Sequence, residues 1–174
     1  MRVSDRLVNA INAEVGLELF AHHQYLAMAA YFESRSLDNL AAFFYAQAEE
    51  EKMHGLKLFK YLLERGALAV IPAIPAPQAS FQSTEELMKL FVSQEEHVTE
   101  KFYEMANFAA EDKDHITSHF LQWFINEQME EMATSNKLLD LVRMAGEHNL
   151  LMIEMMVPRL GTAEAEAGGE AAAE

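Results

Sequence analysis

Apolar residues recur every three or four positions along four long segments of this 174-residue chain, the spacing that lays them along one side of an α-helix. The first stripe reads Ile11, Val15, Glu18, His22, Tyr25, Ala29, Phe32, and the second Leu40, Phe44, Gln47, Glu51, His54, Leu58, Tyr61. The third reads Met88, Phe91, Glu95, Val98, Phe102, Met105, and the fourth Leu121, Phe124, Gln128, Glu131, Ser135, Leu138. Each stripe is interrupted near its middle by a carboxylate: Glu18, Glu51 with His54, Glu95, and Glu131 with Gln128. Residues three apart share a helix face, so Glu51 and His54 point the same way as the apolar residues around them.

Turn and cap residues set the boundaries. Ser4 is placed to cap a first helix of about thirty residues, and Ser36 or Asp38 a second, from about Asn39 to Arg65, that stops at Gly66. The link "ALAVIPAIPAPQASFQ" carries Pro72, Pro75 and Pro77. Ser83-Thr84-Glu85-Glu86 has the form of a capping box and opens a third helix to about Ala110. After the turn "EDKD", a fourth helix runs from about His115 to Ala145, and a shorter fifth, "HNLLMIEMMV", ends near Pro158. A second helix of about 27 residues is roughly 40 Å long, and a sixteen-residue extended link reaches roughly 50 Å. The link therefore spans the bundle, which predicts an all-α four-helix bundle with one long crossover plus a short fifth C-terminal helix. Residues 1–160 form one domain in this reading, and 161–174, "GTAEAEAGGEAAAE", form an acidic low-complexity tail expected to be disordered.

Composition narrows the function. A formal charge of −15 argues against nucleic acid or an anionic membrane as partner and fits a protein that attracts cations. With no cysteine, thiolate metal sites, iron–sulfur clusters, disulfides and cysteine nucleophiles are excluded. The N-terminus lacks the apolar core of a signal peptide and no run reaches membrane-helix length, so a soluble cytoplasmic protein is the expectation. Four carboxylates and an imidazole inside one bundle are costly unless neutralised. Protonation driven by mutual repulsion is one remedy, and a pair of divalent metals the more economical one, since carboxylate and imidazole are good iron ligands.

The segments "NAEVGLELFAHHQY", "AQAEEEKMHG", "FVSQEEHVTEK" and "FLQWFINEQMEEM" resemble those of prokaryotic non-haem ferritins, members of the ferritin-like di-iron superfamily, over about residues 4 to 160. The resemblance implies an iron-storage protein with ferroxidase activity, oxidising Fe(II) with O2 or H2O2 at a di-iron centre. It also implies storage of the product as an Fe(III) oxide-hydroxide mineral inside a hollow homo-oligomeric cage of 24 subunits. By that resemblance Glu18, Glu51 and His54 hold one iron and Glu51, Glu95 and Glu131 the second, with Glu51 bridging, Gln128 at the edge and Tyr25 beside the centre. Glu50, Glu127 and Glu130 match a third iron site facing the cavity. Where a second Glu-x-x-His might stand, this chain has Gln128-x-x-Glu131.

Related families fit less well. Bacterioferritin's haem methionine would fall at Lys52, with Met53 one place off, so no haem is expected. The cysteine-ligated iron of rubrerythrins is excluded, and the DNA-coating mini-ferritins lack a fifth helix. Positions matching the acidic three-fold channel of animal ferritins read Ser118 and Leu121, leaving Asp112, Asp114 and His115 near the same turn as substitutes. His22 reads as a hydrogen-bonded core residue, and Met152, Met155 and Met156 as packing at a four-fold axis. The competing function is a non-storage di-iron oxidoreductase of peroxidase type, which has no use for an apolar fifth helix.

Overall fold

The computed structural model describes residues 2–158, and the tail expected at 161–174 lies outside them. Helix α1 spans Asp5–Glu33, α2 Asp38–Glu64, α3 Thr84–Glu111 and α4 His115–Ala145, close to the bounds that the stripes and caps predict. A 3-10 turn, Glu147–Asn149, leads into α5 over 150–158. Helices α1 and α2 pack along each other, as do α3 and α4, and α1 also meets α3. Every position of the four predicted stripes is buried except His22, which is half-buried.

The caps follow expectation at Ser4 and Ser83 and depart from it at α2, and Asp114 caps α4 besides. Ser4 accepts from the Leu7 amide, Ser83 from the Glu86 amide and Asp114 from the Thr117 amide. Gly66 and Gly146 end their helices at φ of 68° and 69°, in the left-handed region where a side chain is strained. The predicted Ser36 or Asp38 cap of α2 is not formed: the position before the helix is Leu37, which offers no side-chain acceptor. Ser36 instead turns the chain at φ 57°. The first amides of α2 are served from α5, whose Glu154 carboxylate accepts from Asn39 N at 2.5 Å and Leu40 N at 3.0 Å. Glu147 accepts in the same way from the Thr84 amide at the start of α3. Both helix N-termini thus carry an acid against their positive ends. They lie at the same end of the bundle, so α2 and α3 run parallel.

That arrangement requires the link between α2 and α3 to travel the bundle's length, and it does so along α1. Asn12 donates to the Leu68 carbonyl and accepts from the Val70 amide. Gln24 pairs twice with the Gln78 backbone, and Phe81 packs edge-on against Tyr31. Between these ties Pro72 presses on Gly16, where an added Cβ would sit 2.4 Å from the proline Cγ.

The apolar core falls into two clusters. One surrounds Tyr25, Phe32, Phe44, Phe91 and Leu138, the other Leu7, Ile11, Leu58, Phe102 and Phe124. Between them lies a buried polar layer of Glu14, Glu18, Gln47, Glu51, His54, Glu95, Gln128 and Glu131. Replacing Gly16 with Ala should lower stability by about 1–3 kcal/mol, because the rigid Pro72 ring cannot give way cheaply. Gly16→Ala should also make the 67–82 strap more sensitive to limited proteolysis. A chemical-denaturation midpoint equal to or above that of the parent chain would count against this contact.

Candidate metal centre

Helix α1 presents Glu18 to the polar layer, and α2 presents Glu51 and His54 one turn apart. Their approach depends on Gly55, since a Cβ there would lie 3.3 Å from the Glu18 Cβ. Ligand atoms of Glu18, Glu51 and His54 all fall within 4.8 Å of one another, and all three residues are buried. His54 Nδ1 lies 3.2 Å from Glu51 Oε2, while neither oxygen of Glu18 has a hydrogen-bond donor. Two carboxylates this close form a hydrogen bond only when one of them holds a proton. Burial, then the charge of Glu51, holds the Glu18 proton affinity well above the usual carboxylate range. A divalent cation satisfies the same oxygens without the proton.

Glu95 and Glu131 complete the layer from α3 and α4. Glu95 accepts from the Tyr25 hydroxyl and, at 3.1 Å, from Gln128 Nε2. Burial and the neighbouring Glu51 push its pKa up to about 8. Glu131 is raised by burial and then by Glu95 and Glu51, and it accepts from Gln47 at 3.4 Å. Burial works against a charged His54, but the hydrogen bond and charge of Glu51 outweigh it and raise the imidazole's affinity. The compact triad is Glu18, Glu51 and His54; Glu95 and Glu131 are held near it by Tyr25, Gln128 and Gln47. Tyr25 is fully buried, and burial followed by the charge of Glu95 raises its hydroxyl pKa, so it serves here as a donor.

A second group gathers Glu50, His54 and Glu127 within the same 4.8 Å limit. Of the predicted row Glu50, Glu127 and Glu130, the structure brings the first two together, with His54 as the third member. Glu130 is exposed and lies outside that group. Trp123 covers His54 at 5.5 Å between ring centroids, with Lys57 Nζ 2.9 Å above its own ring. The predicted core role of His22 is met by a 2.6 Å hydrogen bond between its Nδ1 and the Ala48 carbonyl. Of the residues discussed for a channel, Leu121 is buried in the core. Asp114 is fixed by Arg65 and Thr117, and Asp112 by Arg6 and Ser4.

Sequence reasoning missed Glu14, which is 1% exposed and has an orphaned Oε1. Its signal was available: it precedes Glu18 by four residues on the same face of α1. Burial, then Glu51, holds its proton affinity well above normal.

These shifts fix the pH response of the metal-free protein. Glu95 keeps its proton in the folded state up to about pH 8, whereas the unfolded chain releases it near pH 4.5. The folded state therefore binds more protons in that window, and stability falls as pH rises through it, by at most about 1.4 kcal/mol per pH unit per carboxyl. The raised His54 acts in the same direction. The melting temperature of metal-free protein should drop from about pH 5 to about pH 8, and saturating Zn(II) should remove most of the drop. A flat or rising profile without metal would contradict the assignment of a repulsive buried layer.

A profile for the ferritin-like domain matches residues 8–145. The chain is 40% identical to the bacterial non-heme ferritin of Staphylococcus epidermidis over 152 residues, covering 87% of this chain and 92% of that protein. It is 41% identical to the Staphylococcus aureus protein of the same name over the same shares. Among solved structures it resembles an open-pore ferritin from the archaeon Archaeoglobus fulgidus, with a TM-score of 0.85 at 30% identity, covering 89% of this chain and 96% of that one. A closed form engineered from that archaeal ferritin aligns with a TM-score of 0.83.

Proposed function

The chain belongs to the ferritin family, and from that premise we propose that it stores iron by oxidising Fe(II) at the Glu18–Glu51–His54 layer and holding the Fe(III) product as mineral within a 24-subunit cage. The observation that carries this reading is the buried triad with two donorless oxygens on Glu18. An acid layer between two apolar clusters stabilises nothing by itself and suits a cation. Iron is the substrate here. One Fe(II) takes Glu18, Glu51 and His54. A second would take Glu51, Glu95 and Glu131, with Glu51 shared by both ions, as in other two-metal sites. Each Fe(II) gives up one electron, and O2 with two protons accepts the pair to form H2O2.

The chain's own groups do the positioning. Tyr25 and Gln128 hold the two Glu95 oxygens, and Gln47 reaches both Glu50 and Glu131. Gln128 also contacts Thr99 at 3.2 Å, which fixes its amide at the edge of the layer. Glu50 and Glu127 offer a third iron position on the α2–α4 side, which Glu130, one turn beyond Glu127, completes by side-chain rotation. The cage reading is supported by α5, which leaves Leu151 71%, Met152 53% and Met155 77% exposed in the single subunit. Apolar area of that kind calls for neighbouring copies. A cytoplasmic location goes with this function.

Glu18→Ala or His54→Ala should slow the first rapid phase of Fe(II) oxidation by about 10–100-fold or more while light scattering still reports the intact cage. Wild-type rates in both variants would remove the assignment. Glu127→Ala or Glu130→Ala should keep that first phase and instead change the Fe(II):O2 ratio or the recovery on a second iron addition. Unchanged stoichiometry and recovery in both would reduce the α2–α4 acids to a solvated face.

A further inference from the structure

The centre described so far leaves one buried acid unused. Glu14 lies one turn before Glu18 on the same face of α1, and both residues are almost fully buried, at 1% and 0% exposure. Among the described residues, five buried side-chain atoms lack a hydrogen-bond partner, and three of them are Glu14 Oε1 and the two Glu18 oxygens. An ordinary core glutamate is held by donors, as Glu95 is by Tyr25 and Gln128. Glu14 has no such donor at Oε1, so its burial is unexplained by the fold alone.

Its electrostatic surroundings indicate a direction. Inward, Glu14 feels Glu51; outward it feels Lys101 and Glu104 of α3. Lys101 does not neutralise it, because its ammonium is paired with Glu104 at 3.0 Å on a side chain that is 41% exposed. Glu14 therefore lies towards the seam of α1 with α3. Two carboxylates one helical turn apart, both buried and short of donors, make an oxygen site for a hard divalent cation.

We propose that Glu14 and Glu18 form a further divalent-cation position, in the working protein an Fe(II) position, that receives a cation on the α1–α3 side before it passes to Glu18, Glu51 and His54. The inference rests on the ferroxidase reading of that triad. Glu18 belongs to both positions, so a small movement of its side chain carries the ion between them, while Glu14 stays behind. The three acids Glu14, Glu18 and Glu51 then form a graded line from seam to centre.

The test uses the assembled full-length protein, anaerobic Co(II), and the isosteric variant Glu14→Gln. Anomalous diffraction from Co(II)-soaked wild-type crystals should show one peak at Glu18–Glu51–His54 and another between Glu14 and Glu18. The variant should keep the first peak, lose the second and bind about one fewer Co(II) per subunit in solution. At low Fe(II) it should also take up iron more slowly, with the saturated oxidation rate little changed. Wild-type density at the triad alone, or an unchanged Co(II) count in Glu14→Gln, overturns the inference and leaves the ferroxidase reading standing. Absence of Co(II) from the triad as well would overturn both.

Discussion

The structure turns on the cost of holding carboxylates away from water. Glu14, Glu18, Glu51, Glu95 and Glu131 all lie inside one bundle, where an unpaired charge costs several kcal/mol. Few polar hydrogens are spent on them: Tyr25 and Gln128 on Glu95, Gln47 on Glu131, and His54 facing Glu51. Glu18 receives none. The two apolar clusters above and below the layer must therefore supply the stability that the middle gives up. Their aromatic packing, with Phe32 stacked on Phe44 at one end and Phe102 on Phe124 at the other, is where that stability resides.

The same chemistry that is expensive in the middle is useful at the ends. Glu147 and Glu154 set carboxylates on the exposed amides of α3 and α2, where the helix dipole favours negative charge. The segment after α4 is thus an integral part of the subunit as well as a candidate for contacts between subunits. Its inner side closes two helices of its own chain through Glu147, Glu154 and the buried Ile153 and Val157, and its outer side shows Leu151, Met152 and Met155.

Much of this was legible in the sequence because periodicity reports burial directly. Stripes of three and four named core positions in each of the four helices, and an acid within a stripe had to be buried with it. Gly66 marked a helix end because its positive φ is disfavoured for residues with a side chain. What the sequence did not show were contacts between residues far apart in the chain. Nothing near Leu37 signals that the cap of α2 comes from Glu154, 115 positions beyond Asn39. Glu14 was passed over because it sits beside the counted stripe, and a helix face is wide enough to bury such a neighbour. The resemblance groups Glu130 with Glu50 and Glu127, whereas the group that the structure gathers is Glu50, His54 and Glu127, with Glu130 exposed beside it.

The strap over residues 67–82 bears on how such a chain reaches its native state. Helices α1 and α2 meet through a four-residue turn, and α3 and α4 through a three-residue one, so each pair forms from local contacts at little loop-closure cost. Joining the pairs is the non-local step, and up-down geometry alone does not dictate which way round they join. Asn12, Gly16, Gln24 and Tyr31 lie in order along α1 and engage Leu68, Pro72, Gln78 and Phe81 in the same order. The strap thereby works as a ruler: it delivers the second hairpin to one end of the first and in one orientation. The handedness of the bundle is thus specified by a seam along the outside of α1, separately from the acids in its middle.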